Sequence, residues 1–265
     1  MRRGSFFWGS ILVLIGLIYL LDTMGVFRNL NINIWSLIWP IILIAFGLWM
    51  LLGTVLRGST KTEHVNISLE GASSARLRLV HGAGRLRINA GAGPGDLVEG
   101  DFGGGLESKT RREGDNLDVM MRMPDQFYPW IWGSGSLLDW TFGLNCDIPL
   151  SLDIKTGASE TSIDLTDLQV KDLKLQTGAS STTVTLPVKA GYTRVDIESG
   201  VASTNIRLPS GVAARISAHG GLSSINVDTT RFPRQGDLYQ SSDYDSASNK
   251  VEVKIQTGVG SIDIR

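Results

Sequence analysis

The 265-residue chain has one cysteine, Cys146, and three histidines. A single thiol excludes an intramolecular disulfide framework and fits a reducing compartment. His64, His81 and His219 fall on or beside alternating stretches, without metal-ligand spacing. The Gly-x-x-x-x-Gly-Lys phosphate loop, the His-Glu-x-x-His zinc motif and the Gly-x-Ser-x-Gly nucleophile elbow do not occur. "DYDSASN" (243–249) opens like a calcium loop but lacks the glycine at its sixth position. "AGAGPG" (90–95) has neither the helix nor the lysine that a phosphate cradle uses. The chain is therefore read as a non-enzyme with no catalytic residue, metal or cofactor. Carboxylates distributed over a repeat surface are the arrangement that such motifs do not cover.

Charge is missing from two long stretches. Gly4 to Leu21 contains none, and most of it is Leu, Ile, Val or Phe. At roughly −0.3 to −0.6 kcal/mol each, these side chains favour bilayer insertion by about 5 kcal/mol. Asn29 to Leu56 is also uncharged, and the part from 34 to 52 suffices to cross the hydrocarbon, with Pro40 inside the span. A cleaved signal peptide is the alternative for the first stretch. No small-x-small cleavage site follows it, however, and a second hydrophobic span does. The expectation is a transmembrane helical hairpin over residues 1–61, with spans at about 4–21 and 34–52. Arg2 and Arg3 before the first span and Arg57 and Lys61 after the second place both termini in the cytoplasm by the positive-inside rule. That topology argues against use of the glycosylation match "NIS" (66–68).

The hairpin segment, Met1 to Lys61, is basic, with Arg2, Arg3, Arg28, Arg57 and Lys61 against Asp22 alone. Since the whole chain is nearly neutral, the remainder is acidic. An acidic soluble portion is a poor ligand for nucleic acid, so the bilayer is the partner that composition supports.

What the chain has in plenty is glycine, 31 in all, and a repeated phrase. "SLDIKTGASETSIDL" (151–165), "DLKLQTGASSTTVTL" (172–186) and "RVDIESGVASTNIRL" (194–208) align on Gly157, Gly178 and Gly200. Each has an aliphatic residue three before the glycine and two more at six and eight after it. "LRLVHGAGRLRI" (77–88) aligns on Gly82, "VEVKIQTGVGSIDI" (251–264) on Gly258, and "ARISAHGGLSSINV" (214–227) aligns if His219 takes the glycine slot. Alternation indicates half-buried strands. The inward face changes phase at each glycine, which predicts a strand, a turn at an unusual backbone angle, and a second strand. Such units bury their apolar face only by stacking, so the prediction is an all-β domain over 62–265, a single-stranded β-solenoid of about 20-residue repeats in which successive copies stack. A sandwich of β-hairpins is the competing arrangement.

Two insertions interrupt the pattern, at about 125–145 and 229–249. The second is polar and reads as a surface loop. The first carries Phe127, Tyr128, Trp130, Trp132, Trp140 and Phe142. It reads either as a hydrophobic plug on the solenoid or as an exposed patch that touches the bilayer or a partner protein.

The hairpin "FFWGSILVLIGLIYLLDTMGVF" with "IWSLIWPIILIAFGLWMLL" resembles the LiaI/LiaF-type transmembrane region of bacteria, with Leu-Leu-Asp closing a glycine-containing first span and Trp-Pro in the second. The repeated Gly-x-Ser strands are similar to the toastrack-like β-solenoid domains fused to such regions in cell-envelope stress proteins. The resemblance implies a multi-pass protein of the cytoplasmic membrane that acts as a sensor or scaffold and modulates a histidine-kinase or phage-shock-type system without a cofactor. A solenoid outside the membrane that binds or cleaves envelope polysaccharide is the alternative function. The aromatic insertion departs from the resemblance.

Overall fold

Period-two apolar patterning becomes strand where β-branched and aliphatic residues can cover one another, and here it does so along most of the chain. The computed structural model describes residues 62–124 and 138–265. The chain divides into two compact units, Met1–Arg57 and Gly58–Arg265, and the described residues belong to the second. The transmembrane expectation lies outside them.

In chain order the strands are β1 (Thr62–Ser68), β2 (Ser74–Ala90), β3 (Asp96–Gly103), β4 (Glu107–Glu113), β5 (Asn116–Arg122), β6 (Trp140–Leu144), β7 (Pro149–Asp164), β8 (Gln169–Thr185), β9 (Tyr192–Arg207), β10 (Ala213–Val227), β11 (Arg234–Gln235), β12 (Leu238–Gln240) and β13 (Lys250–Ile264). Six long strands stack in parallel in the order β2, β7, β8, β9, β13, β10. Parallel pairing between copies makes the domain solenoid-like. Hairpins would instead pair antiparallel within each copy.

Like residues overlie like. Leu79, Ile154, Leu175, Ile197 and Ile255 form one buried column, and Ile88, Ile163, Val184, Ile206 and Ile264 form another. Each such side chain contributes roughly 1.5–3 kcal/mol when fully buried. In β8 the inward positions are Leu173, Leu175 and Thr177 before Gly178, then Thr182 and Val184 after it. The phase change is therefore present, but each copy is one continuous long strand, such as the 17 residues of β8, rather than two strands and a turn.

The glycines explain why. Gly82, Gly157, Gly178, Gly200 and Gly258 do not have positive φ. What they lack is a side chain. A Cβ on Gly157 would lie 2.3 Å from the carbonyl oxygen of Gly82, one on Gly178 2.9 Å from that of Gly157, and one on Gly258 2.7 Å from that of Gly200. The rungs close up at this column, and only glycine fits.

The same column corrects the placement of His219. Gly221 takes the slot, its Cβ position 2.8 Å from the oxygen of Gly258, while His219 pairs with Gln256 two places earlier and is exposed. Gly260, a neighbour of the column, is the one position in β13 with positive φ, +142°.

Successive copies also do not stack in sequence order at the C-terminal end, because β13 inserts between β9 and β10. The outward face of the strands supplies a reason. One column runs Asp172, Arg194, Glu252, Arg215, and another runs Arg78, Asp153, Lys174, Asp196, Lys254, with signs alternating at every step. Laying β10 directly on β9 in this register would set Arg215 against Arg194. Opposite charges on facing positions stabilise by roughly 0.2–1 kcal/mol and like charges destabilise.

The segment between Gly82 and Gly157 is not repeat decay. β5 pairs in parallel with Ser74–Val80 and β6 with Leu86–Ala90, so the two together make one more rung, divided at its corner. β4 covers the β5 half, and β3 and then β1 cover the β6 half, all antiparallel. Insertion 229–249 is a cap rather than a bare loop. It forms the β11–β12 hairpin over Arg215 and Ile216 and buries Phe232 and Tyr244, with the Arg215 guanidinium 4.4 Å from the centre of the Tyr244 ring.

Two outcomes follow from the packing. Gly157→Ala, which drives a methyl into backbone, lowers stability by about 1–3 kcal/mol, roughly 2–4 °C of melting temperature per kcal/mol, and by more than Gly178→Ala; thermal melts of the detergent-solubilised chain read the ranking. Glu252→Arg lowers the melting temperature, and added salt recovers part of the loss by screening the repulsion.

Candidate interaction surfaces

Where the rungs bend at the glycine column, their outer side forms an open crease of about 600 Å³. Its rim is Lys155, Gln176, Glu198 and Gln256, one from each of four adjacent rungs, and the Gln176 amide donates to the Glu198 carboxylate at 2.7 Å. Its floor is a column of hydroxyls: Thr156, Thr177, Ser199 and Thr257. The hydroxyl oxygens of all four are buried without a protein hydrogen-bond partner. They recur at the rung spacing of about 4.8 Å, too far for one to donate to the next. Ammonium, amide, carboxylate and amide in this order along the rim can hold a polar group, while the hydroxyl oxygens of the floor are closed off from solvent. The residues that line the crease include no histidine or cysteine to activate a nucleophile.

On β2 the hydroxyl column ends in His81, which pairs with Thr156. Its ring is buried, 5.2 Å from the ring of Trp140, and its Nε2 donates to the carbonyl of Leu138 at 2.9 Å, which leaves Nδ1 buried without a partner. Burial lowers its pKa below the ordinary 6.5, while the Leu138 carbonyl and the charge of Asp139 act the other way. Asp139 also accepts from the backbone N–H of Arg85 at 3.0 Å and from its Nε at 2.9 Å. The first insertion thus rejoins the stack by clamping onto the corner of β2.

Trp140 and Phe142 are not surface residues. Trp140 is 0% exposed and donates its indole N–H to the carbonyl of Gly103, and both rings pack on Phe102. The cause is register: Trp140 pairs with Leu86 and Phe142 with Ile88, both inward. "WTFGL" carries that alternation, although its aromatic content groups it with the residues before it. Phe127, Tyr128, Trp130 and Trp132 lie outside the described residues, as do Arg2, Arg3, Arg57 and Lys61.

A surface that patterning does not flag follows the glycine column by one residue. It runs Ala83, Ala158, Ala179, Val201, Val259, Leu222, becoming larger toward β10. Val201 is 61%, Val259 45% and Leu222 80% exposed. Among the described residues no three His, Cys, Asp or Glu side chains converge to hold a metal ion.

Residues 56–207, more than half of the chain, match the family described as the N-terminal domain of toast_rack, DUF2154. The chain belongs to the toast_rack family. Residues 6–51 match the LiaI-LiaF-like transmembrane region, which makes this a membrane-associated toast_rack protein. No curated protein matches it. A crystal structure from Clostridium sporogenes ATCC 15579, described as a candidate cell adhesion protein, aligns with a TM-score of 0.69 at 26% identity over 77% of this chain and 98% of that one. The family match in this toast_rack protein ends at β9, and β13 and β10 continue the same columns beyond it.

Because His81 binds its proton less readily when folded, the unfolded state takes up more protons as pH falls through about 6.5, and stability is lost in that window. Melting temperatures between pH 7.5 and 5.5 fall more steeply for the unaltered chain than for His81→Gln. Equal slopes would show that His81 does not carry the effect.

Proposed function

We propose that this toast_rack protein is a membrane-anchored, non-enzymatic sensor or scaffold in bacterial envelope-stress signalling. Its β domain is the interaction platform. The observation that carries this is the union of a LiaI-LiaF-like transmembrane region with a toast_rack domain in one chain. Charge bias orients a two-span anchor with both termini in the cytoplasm, which presents the stack to a histidine-kinase or phage-shock-type partner. The crease supports a binding role, since its rim offers an ammonium, two amides and a carboxylate to a polar partner.

A second function is favoured by one observation, the similarity to a candidate cell adhesion protein. In that case the domain faces outward and binds envelope polysaccharide. Reporter fusions at Arg265 separate the two. Activity of a cytoplasm-dependent reporter, together with an altered envelope-stress response in the deletion strain, is the expected result. Activity of an exported reporter overturns the cytoplasmic platform.

A further inference from the structure

The two ends of the stack are finished differently. At the β4 end the outermost strand carries Glu107, Lys109, Arg111, Arg112 and Glu113, the charges with which sheets commonly protect an open edge. At the other end β10 is last. The β12 strand covers its residues Arg215 and Ile216, and among the described residues nothing pairs with 217–227 on that side. This stretch, "SAHGGLSSINV", has no Asp, Glu, Lys, Arg or proline, and it includes Leu222, the most exposed residue of the apolar stripe. A long edge with free backbone donors and acceptors and no protecting charge is a template for an added strand.

The occupant is constrained by the hairpin. β12 stands one layer beyond β10 and β11 a second layer beyond, both over the start of the rung. A second stack laid flush on this end would collide with them, whereas a single strand beside the hairpin meets no such obstacle. The columns state what that strand must carry: glycine opposite Gly221, because the rungs at this column approach one another too closely for a Cβ, and an apolar residue over Leu222.

We propose that the 217–227 edge of β10 binds one extended segment of another protein, uncharged over its middle and containing a glycine followed by an apolar residue, as an added parallel rung. The proposal deepens the platform reading and rests on it for biological use alone. Strand addition succeeds or fails whichever stress response the chain serves, so the two fail separately.

The test uses the full chain in nanodiscs and a fluorescein-labelled synthetic peptide, KIQTGVGSIDI, which copies residues 254–264 and so carries the required columns. Expected are saturable anisotropy absent with a scrambled peptide, slowed hydrogen exchange at 217–227, and at least a tenfold loss of affinity in Leu222→Lys. Val201→Lys, two rungs away and also exposed, retains binding. Circular dichroism of both variants verifies that they remain folded. Binding no better than the scrambled peptide overturns the proposal. So does protection on β9 in place of β10, which would mean that the peptide displaces β13, and so does binding that Leu222→Lys leaves unchanged.

Discussion

The backbone approach at the glycine column is the constraint on which the rest of this structure depends. At Gly157, Gly178, Gly258 and Gly221 the position of a Cβ lies between 2.3 Å and 2.9 Å from the carbonyl oxygen of the neighbouring rung. Contact that close holds the corners in line, and aligned corners put Leu on Ile and Thr on Thr along the stack. The crease, its hydroxyl floor and the apolar stripe are then consequences, because each is a column one or two residues from the glycine. A repeat that reads as a turn encodes a missing side chain instead.

The outward charges supply what the core cannot. Apolar columns are nearly alike in every rung and so do not distinguish one neighbour from another. Asp172, Arg194, Glu252 and Arg215 do, since opposite signs meet at every step of the observed order, whereas β10 laid directly on β9 would set Arg215 against Arg194. Specificity of stacking is therefore carried by residues that contribute little to burial, a division of labour familiar from paired helices and strands.

Much of this is legible in the sequence. The β class, the inward residues of five copies and the phase change at each glycine follow from offsets that repeat from copy to copy. His219 takes the wrong slot in a sequence alignment because Ile225 and Val227 fit the aliphatic pattern equally well two residues out of step, and patterning cannot weigh a Cβ clash. The divided rung stays hidden because its halves, β5 and β6, are separated by an insertion at the corner, so neither shows a central glycine. Composition groups Trp140 and Phe142 with their aromatic neighbours, although their spacing of two already points inward. The insertion of β13 ahead of β10 depends on comparing charges between copies, which no single copy displays.

The strand order is the central claim, and disulfide trapping tests it directly. In a Cys146→Ser background, Val201→Cys with Val259→Cys places two cysteines on facing positions of adjacent parallel strands, whose backbones run about 4.8 Å apart, within the Cα separation a disulfide spans. Val201→Cys with Leu222→Cys sets them two rungs apart. The intercalated order predicts rapid oxidative cross-linking of the first pair and none of the second. Cross-linking of Val201→Cys with Leu222→Cys in preference to the first pair would mean that the copies stack in sequence order, contrary to the intercalated rung.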